Sequence, residues 1–184
     1  MIKELSINKT KLSLGIIAAA LIALVAFGST ASASAPKQSY SNAQKPGSET
    51  IVQIVLKDDG EFDVLQAAVV KAGLVDALNG TTQYTVFAPT DKAFMKLLGA
   101  STEADAIAKI NNTDTAALTD ILLFHVTEGR RGAISVLSAP RYQMLNGDKL
   151  TRYMLLKAGI AKVNVSASNG VIHVINNVLT PPAN

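Results

Sequence analysis

Apolar positions along this chain follow two different periods, and the change from one to the other divides it. Up to Phe124 the spacing is mostly helical. Ile51, Val52, Ile54, Val55 and Leu56 form a short apolar stretch with Ser48 or Thr50 as its cap, closed by Asp58-Asp59-Gly60. Phe62, Leu65, Val69 and Ala72 recur at helical intervals, widened by Val64, Ala68 and Val70, until Gly73. A short turn through Leu74, Val75 and Leu78 then reaches Asn79-Gly80. Tyr84 to Ala88 reads as a strand, Asp91 to Leu98 and Glu103 to Ile110 as helices, and Thr115 to Phe124 as a further, strongly apolar helix. Beyond that point alternation takes over. Tyr142–Leu145 and Lys149–Leu155 flank Asn146-Gly147, and Ala161–Ala167 and Val171–Ile175 flank Asn169-Gly170, a dipeptide favoured in tight hairpins. Helices gathered early and hairpins late predict an α+β domain over residues 48–182, not a series of βαβ units.

Composition alters the picture mainly at the N-terminus. Lys3, Lys9 and Lys11 precede an apolar run from Leu12 to Phe27, and small residues follow in GSTASASAP. This is the layout of a secretory signal peptide over residues 1–33, with cleavage after Ala33. The run would span only about 24 Å as a helix, short of a hydrocarbon core of roughly 30 Å, so no membrane span is expected after cleavage. Residues 34–47 are polar with two prolines and read as a flexible linker. The expected product is secreted or periplasmic. Past residue 33 the chain carries 14 Lys or Arg against 13 Asp or Glu, with no basic run longer than Arg130-Arg131, which argues against a nucleic-acid partner. The absence of Cys excludes disulfides, thiolate metal sites and a cysteine nucleophile.

Three blocks hold the candidate chemistry. In TVFAPTDKAF (Thr85–Phe94) the strand stops at Pro89, which has no amide hydrogen. Thr90 or Asp91 then caps the next helix, whose inward stripe is Phe94, Leu97 and Leu98. Asp91 has no partner carboxylate or histidine nearby in sequence, so capping outweighs acid catalysis. In LTDILLFHVTEG, Leu118, Ile121, Leu122 and His125 fall at i, i+3, i+4 and i+7, which places the imidazole among apolar side chains. In NGVIHVINNVLTPP, Val171, His173 and Ile175 share one strand face while Ile172 and Val174 share the other, as expected of an interior strand. Its hairpin mate alternates Val163, Val165 and Ala167 on a dry side with Lys162, Asn164 and Ser166 on a wet one. Both histidines are expected in the core, and no G-x-S-x-G elbow, H-x-x-x-H pair or phosphate loop occurs, so no catalytic residue, metal ligand or cofactor is assigned.

Taken in order, the three blocks resemble the fasciclin domain. The resemblance extends over nearly all of residues 48–182, with TIVQIV opening the domain and LTPP closing it. It implies a wedge-shaped β-sandwich with helices packed around it, in secreted and cell-surface proteins that mediate adhesion or matrix contacts. The residues carrying the motif, each in a structural role, are Thr85, Phe87, Pro89, Thr90, Asp91, Phe94, Phe124, His125, Gly170 and His173. Three positions depart from the family pattern. Phe124 stands where many members have Tyr, and Asn164-Val165 where animal adhesion members often have Asp-Ile. Asn176 takes the place of a frequent Asp. The missing carboxylate removes the group that integrin-type recognition uses to complete a receptor metal site. The resulting expectation is a monomeric, non-catalytic module that contacts a cell-surface or matrix protein or carbohydrate, with Asn164, Val165, Ser166, Arg130 and Arg131 as candidate contact residues. The alternative is a carrier of a lipophilic small molecule or pigment.

Overall fold

The computed structural model describes residues 46–57 and 60–182; the expected signal peptide and the linker up to residue 45 lie outside the described residues. Six short helices and two strands fill the first part of the described chain: α1 (Ile51–Val55), α2 (Asp63–Lys71), α3 (Val75–Leu78), β1 (Tyr84–Pro89), α4 (Asp91–Leu98), α5 (Glu103–Asn112), α6 (Thr115–Leu123) and β2 (Val126–Glu128). The remainder comprises α7 (Ala133–Ser138), β3 (Arg141–Gln143), β4 (Lys149–Thr151), α8 (Arg152–Ala158), β5 (Ile160–Ala167) and β6 (Gly170–Ile175). The architecture is α+β, as the periodicity predicts.

The helix starts follow local chemistry. The Thr50 hydroxyl accepts from the Gln53 amide while the Gln53 side chain returns a bond to the Thr50 amide, a capping box that starts α1. Thr90, Thr102, Asp114 and Thr151 cap α4, α5, α6 and α8 in the same way, each accepting from an amide of the first turn. At the other end of α5, the Lys71 ammonium of α2 donates to the carbonyls of Ile110, Asn111 and Thr113, which ties two helices together through the carbonyls a helix leaves unpaired.

The four-stranded sheet has the order β2-β1-β6-β5, and β3-β4 forms a separate hairpin. β1 and β6 run parallel at the centre with Tyr84 opposite Gly170 and Phe87 opposite His173, while β2 and β5 are antiparallel to their neighbours. Alternation sends Val86, Ala88, Ile172 and Val174 to one face, under α1, α2 and α4–α6, and Phe87 and Ile175 to the other, under α7, the β3-β4 hairpin and α8. All six residues of β6 are buried.

Several expected details change. Only Lys149–Thr151 of the expected strand Lys149–Leu155 is extended. Thr151 caps α8 instead, and Met154, Leu155 and Ala158 turn inward at helical spacing, beside Leu150 of β4. The Asn146-Gly147 turn lies in a five-residue connection, Met144–Asp148, between strands shorter than expected. In the β5-β6 hairpin the two connecting residues are Ser168 and Asn169, and Gly170 already pairs with Ala167 inside the sheet. On the helices, Val70 and Leu97 point outward, because short helices against one layer bury a narrower stripe than the apolar pattern suggests. Along β5 the register slips twice, and Asn164 takes a left-handed conformation (φ 60°). The extra residues break the simple alternation, so Val163 is exposed instead of facing the dry side. No helix among the described residues is long and apolar enough to cross a membrane.

Candidate functional site

Both imidazoles lie in the interior, and each bridges a backbone acceptor to a backbone donor. α6 ends at Leu123, with Phe124 as its buried cap, so His125 sits in the junction to β2 and not on the helix itself. Its Nδ1 lies 2.7 Å from the Ile121 carbonyl, and its Nε2 accepts from the Leu179 amide at 2.9 Å. These partners define the neutral tautomer with the proton on Nδ1. Burial pushes its pKa down to about 4, against a smaller upward pull from the Ile121 carbonyl. His173, fully buried at the centre of β6, is the mirror case. Its Nε2 donates to the Arg131 carbonyl at 2.9 Å and its Nδ1 accepts from the Asn164 amide at 3.3 Å. Burial lowers its pKa, opposed by the Arg131 bond, and its ring stacks on Phe87 with centroids 5.8 Å apart. A second proton would turn either accepting nitrogen into a donor facing an N–H. Each ring is thus a two-ended tie that functions only while neutral.

The other motif residues surround these ties. Thr85 is buried; its hydroxyl donates to the Gly129 carbonyl and accepts from the Arg131 amide, which fixes the loop that His173 grips from below. Pro89 closes β1 opposite Ile175, and Phe94 packs into the core under the helices. Thr90 caps α4. Asp91 also caps, but across space: its carboxylate accepts from the Asp63 and Val64 amides at the start of α2. Gly170 is required by close approach, since a Cβ there would stand 2.2 Å from the Tyr84 carbonyl oxygen. Asp63, Asp91 and Glu103 bring carboxylate oxygens within 4.8 Å of one another, with Asp91 buried and Glu103 exposed.

Of the candidate contact residues only Asn164 is exposed; Val165, Ser166, Arg130 and Arg131 are half-buried. The Asn164 side chain accepts from the Ala133 amide at the start of α7. The Arg130 guanidinium donates to the Ala167 and Gly170 carbonyls and to the Ser166 hydroxyl, pinning the β5-β6 hairpin. Arg131 lies over the Tyr142 ring, 5.3 Å from its centroid. Asn169, read from the sequence only as a turn residue, is a buried clamp. It accepts from the Ile51 amide and donates to the carbonyls of Leu78 and Gly80. An Asn beside a Gly signals a turn equally well when its side chain points outward, so nothing local marked this role. A cavity of about 30 Å³ lies under α1, lined by Ile51, Val55, Leu65, Leu78 and Phe87, with His125 at its wall.

A mixed sheet with helices on one side, hairpin and short helices on the other, and two neutral histidine ties define an α+β scaffold whose conspicuous polar groups are spent on its own backbone. The chain belongs to the fasciclin-domain family: the family model, "Fasciclin domain", matches residues 60–181. It is 37% identical over 148 residues to protein sll1483 of Synechocystis, a match covering 77% of this chain and 79% of that one. Immunogenic protein MPB70 of Mycobacterium bovis is 35% identical over 147 residues, covering 74% and 72%. The transforming growth factor-beta-induced protein ig-h3 of Sus scrofa is 39% identical over 140 residues, covering 72% of this chain; the chain spans only 20% of that longer protein. Among solved structures, a FAS1 domain pair from the insect cell adhesion molecule fasciclin I superposes with a TM-score of 0.50 at 20% identity, over 73% of this chain and 51% of that one, a likeness of fold.

Proposed function

We propose that this fasciclin-domain protein is exported and acts as a non-catalytic contact module between cells, or between a cell and its surrounding matrix. The observation that carries the proposal is the engagement of both imidazoles. All four ring nitrogens are bonded to backbone groups, and burial keeps both rings neutral, so neither is placed to move a proton for a substrate. The likeness of fold to fasciclin I, an insect cell adhesion molecule, and the export-type leader support the same reading. On this reading the outer edge of β5 at Asn164 is available for contact. Arg130, bonded into the hairpin, acts through the shape of that edge.

The test is attachment. Purified protein should bind the surface of its own host cells or their matrix, and cells lacking it should adhere less. Unchanged adhesion in the deletion strain, together with no surface binding, defeats the proposal. The carrier reading has less support: the apolar cavity under α1 measures only about 30 Å³, far below the range of small-ligand sites, and the larger groove beside α8 is lined by two lysines. A colourless preparation free of extractable lipid counts against it.

A further inference from the structure

The near balance of charge in the folded chain is the mean of two unlike halves. Residues 48–129 carry five Lys or Arg against twelve Asp or Glu, whereas residues 130–182 carry seven Lys or Arg against Asp148 alone. The fold turns this into a spatial difference. The first span supplies the helices over the Val86 face of the sheet; the second supplies α7, the β3-β4 hairpin and α8 over the Phe87 face. On α8 the exposed side chains are Arg152, Tyr153, Leu156 and Lys157, with Tyr153 73% exposed. Beside them runs a groove of about 430 Å³ lined by Lys96, Tyr153, Met154, Lys157, Asn177 and Thr180 and by no acidic residue. The Lys96 ammonium makes one bond, to the Asn177 side chain at 2.7 Å, which leaves two of its donors over. Lys157 has no hydrogen-bond or ion-pair partner among the described residues. Two ammonium groups therefore line one recess without a counter-charge, an arrangement that concentrates anions there.

We propose that this groove binds a segment of an anionic polysaccharide, one whose sugars carry carboxylates. The proposal rests on the contact-module reading and names its partner. The volume lies within the range of small-ligand sites, on the order of 300–1,000 Å³. The two lysines meet the anionic groups, the exposed Tyr153 ring offers a flat apolar face to the C–H side of a sugar, and the Thr180 hydroxyl can exchange hydrogen bonds with sugar hydroxyls. A recess with charged walls and a single exposed ring suits a chain laid into it better than a bilayer laid across it.

The test measures binding of the full-length protein to polygalacturonate oligomers, with neutral dextran and anionic phospholipid vesicles as parallel probes. Polygalacturonate should bind, more weakly as salt rises, and dextran should not. Tyr153→Ala and Lys157→Glu should each weaken binding about tenfold, and together on the order of a hundredfold if the two act independently. Lys149→Glu, the same charge change on β4 outside the groove, should shift it less than about twofold. Thermal melts of each variant confirm that the fold is kept. Three results overturn the proposal: no polygalacturonate binding, binding to vesicles only, or equal losses from Lys157→Glu and Lys149→Glu with none from Tyr153→Ala. Should any of these occur while the protein still attaches to cells, the groove is wrong and the contact function stands. If attachment is lost as well, both fall.

Discussion

The two faces of the central sheet are built by different means. Over the Val86 face, helices of up to ten residues with side-chain caps bury a cluster of twenty apolar residues, from Ile51 to Val174. Over the Phe87 face only ten buried apolar residues gather, under helices of six and seven residues and a three-residue hairpin. Both faces add polar ties to backbone. On the first, Asn169 holds Ile51, Leu78 and Gly80, Asp91 holds the start of α2, and Lys71 holds the end of α5. On the second, with half the buried apolar residues, His173 ties to Arg131 and Asn164, Arg130 to the β5-β6 hairpin, Tyr142 to Ser135, and His125 to Leu179. Apolar area is forgiving of small shifts, whereas directional bonds are not. Relative to its apolar burial, the second layer therefore leans more heavily on directional bonds than the first.

The largest effect should come where both layers depend on the same backbone. Gly170→Ala places a carbon against the Tyr84 carbonyl between β1 and β6, and should cost more than about 4 kcal/mol or abolish folding, as read by circular dichroism and urea unfolding. Next, Phe94→Ala on the helical side and Phe87→Ala on the other should each cost about 3–5 kcal/mol within a single cooperative transition. Two separate transitions would show that the layers fold apart and would break the comparison.

Acid should act through the ties. The His125 pKa is depressed on folding, so the unfolded chain takes up its proton first. The stability that depends on the neutral ring is complete above the unfolded value of 6.5 and is lost as pH falls toward about 4. The loss for His125 amounts to about 3 kcal/mol across that window, with His173 adding in the same direction. Urea midpoints measured between pH 7.5 and 4 should show it, and the slope should flatten in His125→Gln. A smaller effect is expected at the bulge. Asn164→Ala loses the bond to the Ala133 amide and puts a Cβ residue without a compensating side chain at φ 60°, at a cost of about 1–2 kcal/mol. Smallest of all, Val163→Thr should change stability by less than about 0.5 kcal/mol, since the side chain is exposed; a loss near 2 kcal/mol would restore the simple alternation.

Legibility followed the same division. On the helical side, Thr50, Thr90 and the stripe through Leu65 and Val69 put both the caps and the buried face within a few residues of each other, so local sequence locates them; the caps Thr102 and Asp114 emerge only in the structure. On the other side the same cues were ambiguous. The segment from Lys149 to Leu155 satisfies a strand pattern beside Asn-Gly as readily as a helix behind Thr151, and only the packing of Leu155 and Ala158 into one cluster selects the helix from Arg152 on. Asp91 shows the limit most plainly: a carboxylate after a strand is legible as a cap, but the helix it caps begins 28 residues earlier.

The α+β class, the internal position of both histidines and the fasciclin blocks can all be read from the amino-acid order alone, because each follows from periodicity or residue type within a short window. The parallel β1-β6 pairing across some eighty residues, the tautomer each histidine must hold, and the gathering of Lys96 with Lys157 in one recess become visible only in the folded chain. The reason is physical. Hydrogen-bond partners and uncompensated charges are properties of distance in space, and a chain fixes those distances only once its two layers have closed on the sheet between them.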